Sequence, residues 1–256
     1  MSTEQLFPRQ PVKRHPAQSR YSCRCPNMMI RRIIDMIVAM LALIITAPLL
    51  LGISVLIWLT AGAPIFFLQN RVGLHGMPFR MFKFRTMKRD AERSGGTLTF
   101  QADSRITPCG GILRRFKLDE LPQFLNVLRG EMTLIGPRPE VMDWVQRYTN
   151  EQREVLTAKP GLSDPVQIRF RHEQDYLKSA AEYEKLFIIK VREQIEYLRS
   201  RTFLSDLVTA FRTLLIIIPS KPSAEELAVY AAIAASTDKG SKKGSGFGVA
   251  PTSEQS

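Results

Sequence analysis

The distribution of polar and apolar residues changes character several times along this chain, and each change predicts an element. Residues 1–29 mix Pro, Gln, Ser, Arg and Lys without a hydrophobic period, so they cannot offset their ordering entropy and are expected to be disordered. From Met36 to Leu59 the chain is apolar except for Thr46 and Ser54. At about 1.5 Å per residue, one helix of that length crosses the roughly 30 Å hydrocarbon layer. Pro48 stands at its middle, where it removes one helix hydrogen bond and bends the axis, with Thr46 near enough to help satisfy the freed carbonyls.

The positive residues flanking this segment bear on its topology. Arg20, Arg24, Arg31 and Arg32 precede it; Arg71, Arg80, Lys83, Arg85, Lys88, Arg89 and Arg93 follow it. Positive residues mark the cytoplasmic side, and both ends carry them. A helix that enters, bends at Pro48 and leaves through the same leaflet satisfies both flanks, and residues 30–62 are expected to form this re-entrant hairpin. A kinked single span is the alternative. Asp35, at the segment's edge, is expected to pair with Arg31 and Arg32.

Beyond the membrane segment, Ala63–Arg71 and Pro78–Met87 read as extended runs joined by a turn at Gly73 and Gly76. Alternation along the second places Lys83 and Arg85 on one face, opposite Phe82 and Phe84. The same spacing fits a solvated strand beside lipid headgroups. Residues 88–104 read as a loop. Leu121, Phe124, Leu125 and Leu128 carry a helical period that stops at Gly130. Val141–Ala158 and Ser179–Arg199 read as helices, Lys159–Pro165 as a loop, and the segment with Arg169 and Arg171 as strand-like. Phe203–Ile218 carries an apolar stripe suited to a membrane interface or to covering the core. Beyond Ser236 the Gly, Ser and Lys content reads as a flexible tail.

The expected fold is α+β and mostly helical: a re-entrant membrane helix at 30–62, a cytosolic domain with a small β element and interfacial amphipathic helices at 63–222, and a helix remnant with tail at 223–256. Formal charge is +12, which points to a polyanionic neighbour: nucleic acid, an anionic membrane face or phosphate-bearing substrates. Cys23, Cys25 and Cys109 have neither zinc spacing nor an even disulfide framework and read as free thiols.

Candidate chemistry centres on Lys117-Leu118-Asp119-Glu120-Leu121-Pro122-Gln123. Pro122 fits only a first helical turn, so Asp119 is placed at or next to the N-cap. There the helix dipole would keep it ionised, as a nucleophile or metal ligand needs, although an acid at a helix start also serves as an ordinary cap. Arg138 lies between Pro137 and Pro139, whose restricted backbones present its guanidinium stiffly, as bidentate phosphate binding requires. A plain surface turn has the same spacing.

Taken in order, several stretches resemble the bacterial sugar transferases that are monotopic polyprenol-phosphate phosphoglycosyl transferases. They are the proline-broken helix after Arg31-Arg32-Ile33-Ile34-Asp35; Pro64-Ile65-Phe66-Phe67 with Gln69, Arg71, Gly73 and Gly76; Lys83-Phe84-Arg85-Thr86-Met87; Leu118–Gln123 with Asn126-Val127-Leu128; and Gly136-Pro137-Arg138-Pro139. The resemblance covers about residues 30–220. It implies an enzyme on the cytoplasmic face of the bacterial inner membrane that moves a sugar 1-phosphate from a nucleoside diphosphate sugar, expected to be a UDP-sugar, to undecaprenyl phosphate, releasing the nucleoside monophosphate. Exopolysaccharide, O-antigen or other glycan assembly would begin with that step.

By the resemblance Asp119 is the nucleophile that forms an aspartyl-phosphosugar, and Asp119 and Glu120 bind Mg²⁺. Lys83, Arg85, Arg114, Arg138 and Arg171 would hold phosphates, with Pro137–Arg138–Pro139 at the nucleotide. Implied partners are membrane lipid, a second copy of the chain and downstream glycosyltransferases, with no nucleic acid. Two departures stand out: Asp164-Pro165 where many members carry Gly-Trp or Gly-Leu, and Gln194 where many carry an acid. A membrane-anchored basic module that binds lipid or nucleic acid without catalysis, and a phosphohydrolase with Asp119 as nucleophile, are the competing readings.

Overall fold

The computed structural model describes residues 28–89, 91, 103–216 and 221–243. The expectations for the N-terminal segment, for Cys23 and Cys25, for most of the 88–104 loop and for the end of the C-terminal tail lie outside them. The apolar segment forms α1, Met28–Ala61, with Pro48 inside it. It is the one helix among the described residues long and apolar enough to cross a membrane. Pro48 leaves the carbonyl of Ile44 without its helical donor, whereas the Thr46 hydroxyl donates to Ala42, 2.7 Å away. Thr46 therefore does not relieve the kink site directly.

Both ends of α1 pack on the remainder of the chain, and from Met40 to Gly52 no residue is buried. At the N-terminal end Arg31 pairs with Asp206 at 2.7 Å, and Arg32 donates to the carbonyls of Val127 and Leu128 at 2.5 and 2.9 Å. Asp35 accepts from the Thr133 hydroxyl at 2.5 Å and the Leu134 N–H at 3.2 Å. The expected pairing of Asp35 with its neighbouring arginines gives way to these longer-range bonds. Near the C-terminal end Ile53 and Ile57 pack against Phe84 and Leu113.

Two extended runs, β1 (Phe66–Val72) and β2 (Pro78–Phe84), form an antiparallel hairpin in which Phe67 faces Lys83. Helix α2, Pro108–Arg115, starts with Pro at N1 and a Thr107 side-chain cap. Here Gly110 lies against the Thr86 backbone so closely that a Cβ would come within 2.0 Å of the Thr86 carbonyl oxygen. A 3₁₀ turn, Leu118–Gln123, leads into α3, Phe124–Arg129, which ends at the predicted stop, Gly130, in the left-handed conformation.

The motif loops meet where β3, Thr133–Ile135, pairs in parallel with β4, Gly161–Ser163. Gly136 and Gly161 permit this approach: a Cβ on Gly161 would lie 2.1 Å from the Gly136 nitrogen. Because backbone atoms cannot yield as a side chain does, Gly161→Ala is expected to cost about 3 kcal/mol, measurable as a shift of the denaturant midpoint.

Val141–Ala158 is not one helix. Short α4, Met142–Val145, is followed by a 3₁₀ turn at Gln152–Thr157. Between them the Thr149 N–H donates to Gln152 Oε1 and the Gln152 N–H to Thr149 Oγ1, side-chain bonds that compete with a continuous helix. The strand-like reading around Arg169 is also replaced, by α5, Pro165–Arg169, and α6, Glu173–Tyr176. Asp164 caps α5 by accepting the Gln167 N–H at 2.7 Å, and Pro165 takes N1.

Helix α7, Ala180–Ser200, starts at the Ser179 cap and buries Leu186, Phe187, Val191, Ile195 and Leu198. The predicted apolar stripe forms α8, Phe203–Ile216, with Phe203, Leu204, Leu207, Phe211 and Leu214 exposed. The C-terminal remnant is a 20-residue helix, α9, Ala224–Lys243, which extends past Ser236 where a flexible tail was expected. Its Tyr230 and Ile233 join Val166, Phe170, Leu177 and Leu186 in one core cluster.

Candidate active site

A cavity of about 330 Å³ opens among the β1–β2 hairpin, the Leu118–Gln123 turn, the Pro137–Pro139 loop and the α5–α6 segment. That volume is within the range of small-molecule sites. Asp119 and Glu120 lie in the 3₁₀ turn, so Asp119 is inside the first turn rather than at a cap; Lys117 precedes the turn with φ of 56°. A left-handed lysine stores strain on the order of 1 kcal/mol, and here that conformation aims the two acids into the cavity.

The adjacent carboxylates have opposite surroundings. Glu120 is gripped by the Arg138 guanidinium, with oxygen–nitrogen distances of 2.6 and 3.3 Å, and Lys83 Nζ lies 3.8 Å away. Burial pushes the Glu120 carboxyl up, but Arg138, Lys83 and Lys117 outweigh it and hold Glu120 below the usual carboxylate range. Asp119 is buried, and its Oδ1 has no hydrogen-bond partner. Burial and then the Glu120 charge push Asp119 up, against Lys83, Lys117 and Arg114. The helix start that would favour the ionised form of Asp119 is thus opposed by burial and by the Glu120 charge, which raise its carboxyl from the ordinary value.

Lys83 points into the cavity, and burial depresses its ammonium to about 7 despite the neighbouring Glu120. Arg114 lines the same cavity and donates to Thr86 Oγ1 at 2.8 Å; burial pulls its guanidinium down. Arg171 also reaches the wall. Arg85 does not. Strand β2 ends at Phe84, and the Arg85 guanidinium turns to the carbonyls of Ala61 and Gly62 at 2.6 Å each, where it caps the end of α1. Its guanidinium is therefore off the cavity wall, with Nε and Nη1 buried and without a hydrogen-bond partner, and the phosphate role the resemblance implies finds no support in that placement.

The Pro-Arg-Pro loop is pinned at three points. Pro137 O accepts the Gly161 N–H at 3.0 Å, the Arg138 N–H donates to Asp164 Oδ2 at 2.9 Å, and Pro139 O accepts from Arg71 at 2.9 Å. Gln194 donates to the same Asp164 oxygen at 3.0 Å. The two sequence departures are thus one buried hydrogen-bonded pair, whose effect is to hold the backbone that presents Arg138.

Among residues the sequence reading did not place in the site, Gln69 and Arg71 join Phe67 on the cavity face of β1. Lys190 is buried, lines the cavity and bonds Glu173 at 2.8 Å. Its signal was present: Lys190 and Gln194 fall one turn apart on the apolar stripe of α7, where a polar side chain needs a buried partner.

This arrangement presents a buried carboxyl with one unpartnered oxygen in a cavity also lined by Lys83, Arg114, Lys117 and Arg138, suited to a phosphate-bearing substrate. The family model for bacterial sugar transferases matches residues 26–220. The chain belongs to the bacterial sugar transferase family. This sugar transferase is 38% identical over 164 residues, 64% of its length and 77% of the relative's, to the uncharacterized sugar transferase EpsL of Bacillus subtilis. It is 33% identical over 208 residues, 75% of its length and 87% of the relative's, to the exopolysaccharide production protein ExoY of Sinorhizobium fredii. A UDP-N-acetylgalactosamine-undecaprenyl-phosphate N-acetylgalactosaminephosphotransferase of Aeromonas hydrophila is 34% identical over 194 residues, 74% of this chain but 44% of that protein. No three His, Cys, Asp or Glu side chains lie together as a metal cage among the described residues of the sugar transferase.

Proposed function

We propose that this sugar transferase moves a sugar 1-phosphate from a nucleoside diphosphate sugar to undecaprenyl phosphate through a covalent intermediate on Asp119. The observation that carries the reading is the buried Asp119 oxygen without a partner, in a cavity shared with Lys83, Arg114, Lys117 and Arg138. The names of the Aeromonas and exopolysaccharide relatives supply the substrate classes and the polysaccharide pathway. A UDP-sugar is the proposed donor.

In the first step an Asp119 oxygen attacks the sugar-bearing phosphorus. An O–P bond forms, the bond to the bridging oxygen breaks, and the nucleoside monophosphate leaves with that oxygen. In the second, an oxygen of the lipid phosphate attacks the same phosphorus, the Asp119–phosphorus ester breaks, and the carboxylate is regenerated. The difficult displacement is divided in two, and the cations offset the repulsion between carboxylate and diphosphate. A raised Asp119 basicity favours attack once the carboxylate is deprotonated.

The donor set fits magnesium, which is commonly held by one or two carboxylates with substrate phosphates completing its shell; one of the two acids here retains an oxygen that no protein group satisfies. Asp119 and Glu120 would hold the ion, and bound there it neutralises charge on the diphosphate and the departing phosphate.

We further propose that α1 is re-entrant on the cytoplasmic face of the inner membrane. The reading is supported by the contacts of Arg31, Arg32 and Asp35 at one end, and of Ile57 and Ala61 at the other, with the same domain, since a single span would put one end a roughly 30 Å hydrocarbon layer away from it. The exposed apolar face of α8, tied to α1 through Arg31–Asp206, would lie in the same interface. A second copy and downstream glycosyltransferases remain the proposed protein partners. With Cys23, Cys25 and Cys109 replaced by serine, Met29→Cys and Lys88→Cys are expected to label from the same side; labelling from opposite sides overturns re-entrance.

The reaction is tested by supplying purified protein with a panel of nucleotide sugars, Mg²⁺ and undecaprenyl phosphate. Lipid-dependent nucleotide release that EDTA stops is the expected result; lipid-independent phosphate release would make the protein a hydrolase instead. Because Lys83 binds phosphate only as a cation, kcat/KM, which reports the free enzyme, is expected to decline as pH rises through about 7. Lys83→Arg stays charged and should move that alkaline limb upward by at least about two pH units. An unmoved limb removes Lys83 from the phosphate site.

A further inference from the structure

The family match ends at residue 220, and α9 begins at Ala224. This added helix is joined to the back of the cavity wall. Its buried residues Glu226, Tyr230 and Ile233 follow one helix face, and the first is a carboxylate only 3% exposed. The Glu226 carboxylate accepts the His172 backbone N–H at 3.2 Å and the Tyr230 hydroxyl at 2.8 Å, and it faces His172 Nδ1 at 3.0 Å. A carboxylate in that place selects the tautomer with hydrogen on Nδ1. The Tyr230 ring stacks on Tyr176 with centroids 5.2 Å apart and 8° between planes, and contacts Phe170 at 6.3 Å.

Phe170, His172 and Tyr176 belong to the same short run whose Gln167, Arg171 and Gln174 line the cavity. The run lies between the substrate space and α9, with His172 and Tyr176 fastened to the helix and Phe170 meeting both. On the cavity side, Gln167 Oε1 is buried with no hydrogen-bond partner, and Arg171 makes no ion pair or hydrogen bond among the described residues. An unsatisfied buried acceptor beside a cation calls for a ligand that brings both N–H or O–H donors and negative charge. A nucleoside diphosphate sugar brings both; a lipid phosphate headgroup brings chiefly the charge.

A buried carboxylate is costly, and an apolar contact would join α9 to the wall as firmly. What Glu226 adds is fixed geometry: the His172 N–H lies at the N-cap of α6, and binding it sets how the wall enters that turn. Resting on the reaction proposed above, we propose that α9 is a positioning element of the donor site, in which Glu226 and Tyr230 hold the Gln167–Tyr176 wall so that Gln167 and Arg171 meet the sugar nucleotide.

Full-length Glu226→Ala, Glu226→Gln and Tyr230→Phe proteins test this, with Ala232→Ser on the exposed side of α9 as control. KM for the nucleotide sugar that wild type uses fastest is expected to rise about tenfold in Glu226→Ala and about threefold in Tyr230→Phe, with kcat and the lipid KM within about twofold. Glu226→Gln, which keeps an acceptor for the His172 N–H, should recover part of the loss. Amide hydrogen exchange of residues 165–178 should quicken in the same order. That readout needs no turnover, so it judges the role of α9 even if wild type proves not to be a transferase. An unchanged donor KM in Glu226→Ala, unchanged exchange, or a proportional fall in all kinetic parameters with the folded fraction overturns the proposal.

Discussion

Asp119→Asn should lower turnover by at least about 10⁴-fold, the scale on which loss of a covalent nucleophile is felt, while the protein remains folded and membrane-bound. The amide matches the carboxylate in shape but does not form the phosphoester. Its effect on stability should have the opposite sign. Burial and Glu120 push the Asp119 carboxyl above its ordinary value, so the folded state binds that proton more tightly than the unfolded chain. Stability from this group is therefore greatest below the ordinary carboxylate range and is lost as pH rises toward the raised folded value. A neutral amide removes that loss, and at pH 7 the melting temperature of Asp119→Asn should equal or exceed that of wild type. Function given up together with stability gained is the signature of a buried charge kept for chemistry. Residual turnover within about 100-fold of wild type would take Asp119 out of the nucleophile role.

Which parts of this site could be read from the chain follows from the range of the interactions. Asp119, Glu120, Lys83 and Arg138 were legible because their chemistry is carried by residue type and local spacing, and the structure brings them to one cavity. The shared face expected for Lys83 and Arg85 extends strand alternation one residue past Phe84, while the carbonyls at the end of α1 that Arg85 meets come from 24 residues away. The segment with Arg169 and Arg171 reads as strand-like, although Asp164-Pro165 is a cap followed by an N1 proline; the start signal prevailed. The burial that raises the Asp119 carboxyl escaped the sequence for another reason: a backbone dipole can be inferred from a helix start, but desolvation depends on everything packed around the turn.

Substituting Arg138 should produce the second-largest loss, by a different route. The guanidinium supplies the bidentate partner of Glu120 and one of the cations lining the cavity, yet the loop that carries it is held by main-chain bonds from Pro137, Arg138 and Pro139. Arg138→Ala therefore removes the side chain and leaves its backbone anchored. A buried carboxylate deprived of its partner is expected to cost about 3–5 kcal/mol, and the loss of an electrostatic donor about 10²–10³-fold in turnover. Arg138→Lys keeps charge but not the two-pronged geometry and should fall between. The pH dependence separates this from a general packing defect. Because Arg138 holds Glu120 below its ordinary range, that stability is present above the unfolded pKa and disappears as pH falls through the folded one. The stability gap between wild type and Arg138→Ala should accordingly be widest at neutral pH and narrow on acidification below the ordinary carboxylate range. A gap that stays constant from pH 7 to pH 3 would mean that Glu120 does not depend on Arg138 for its charge, and the electrostatic design inferred for this site would fail there.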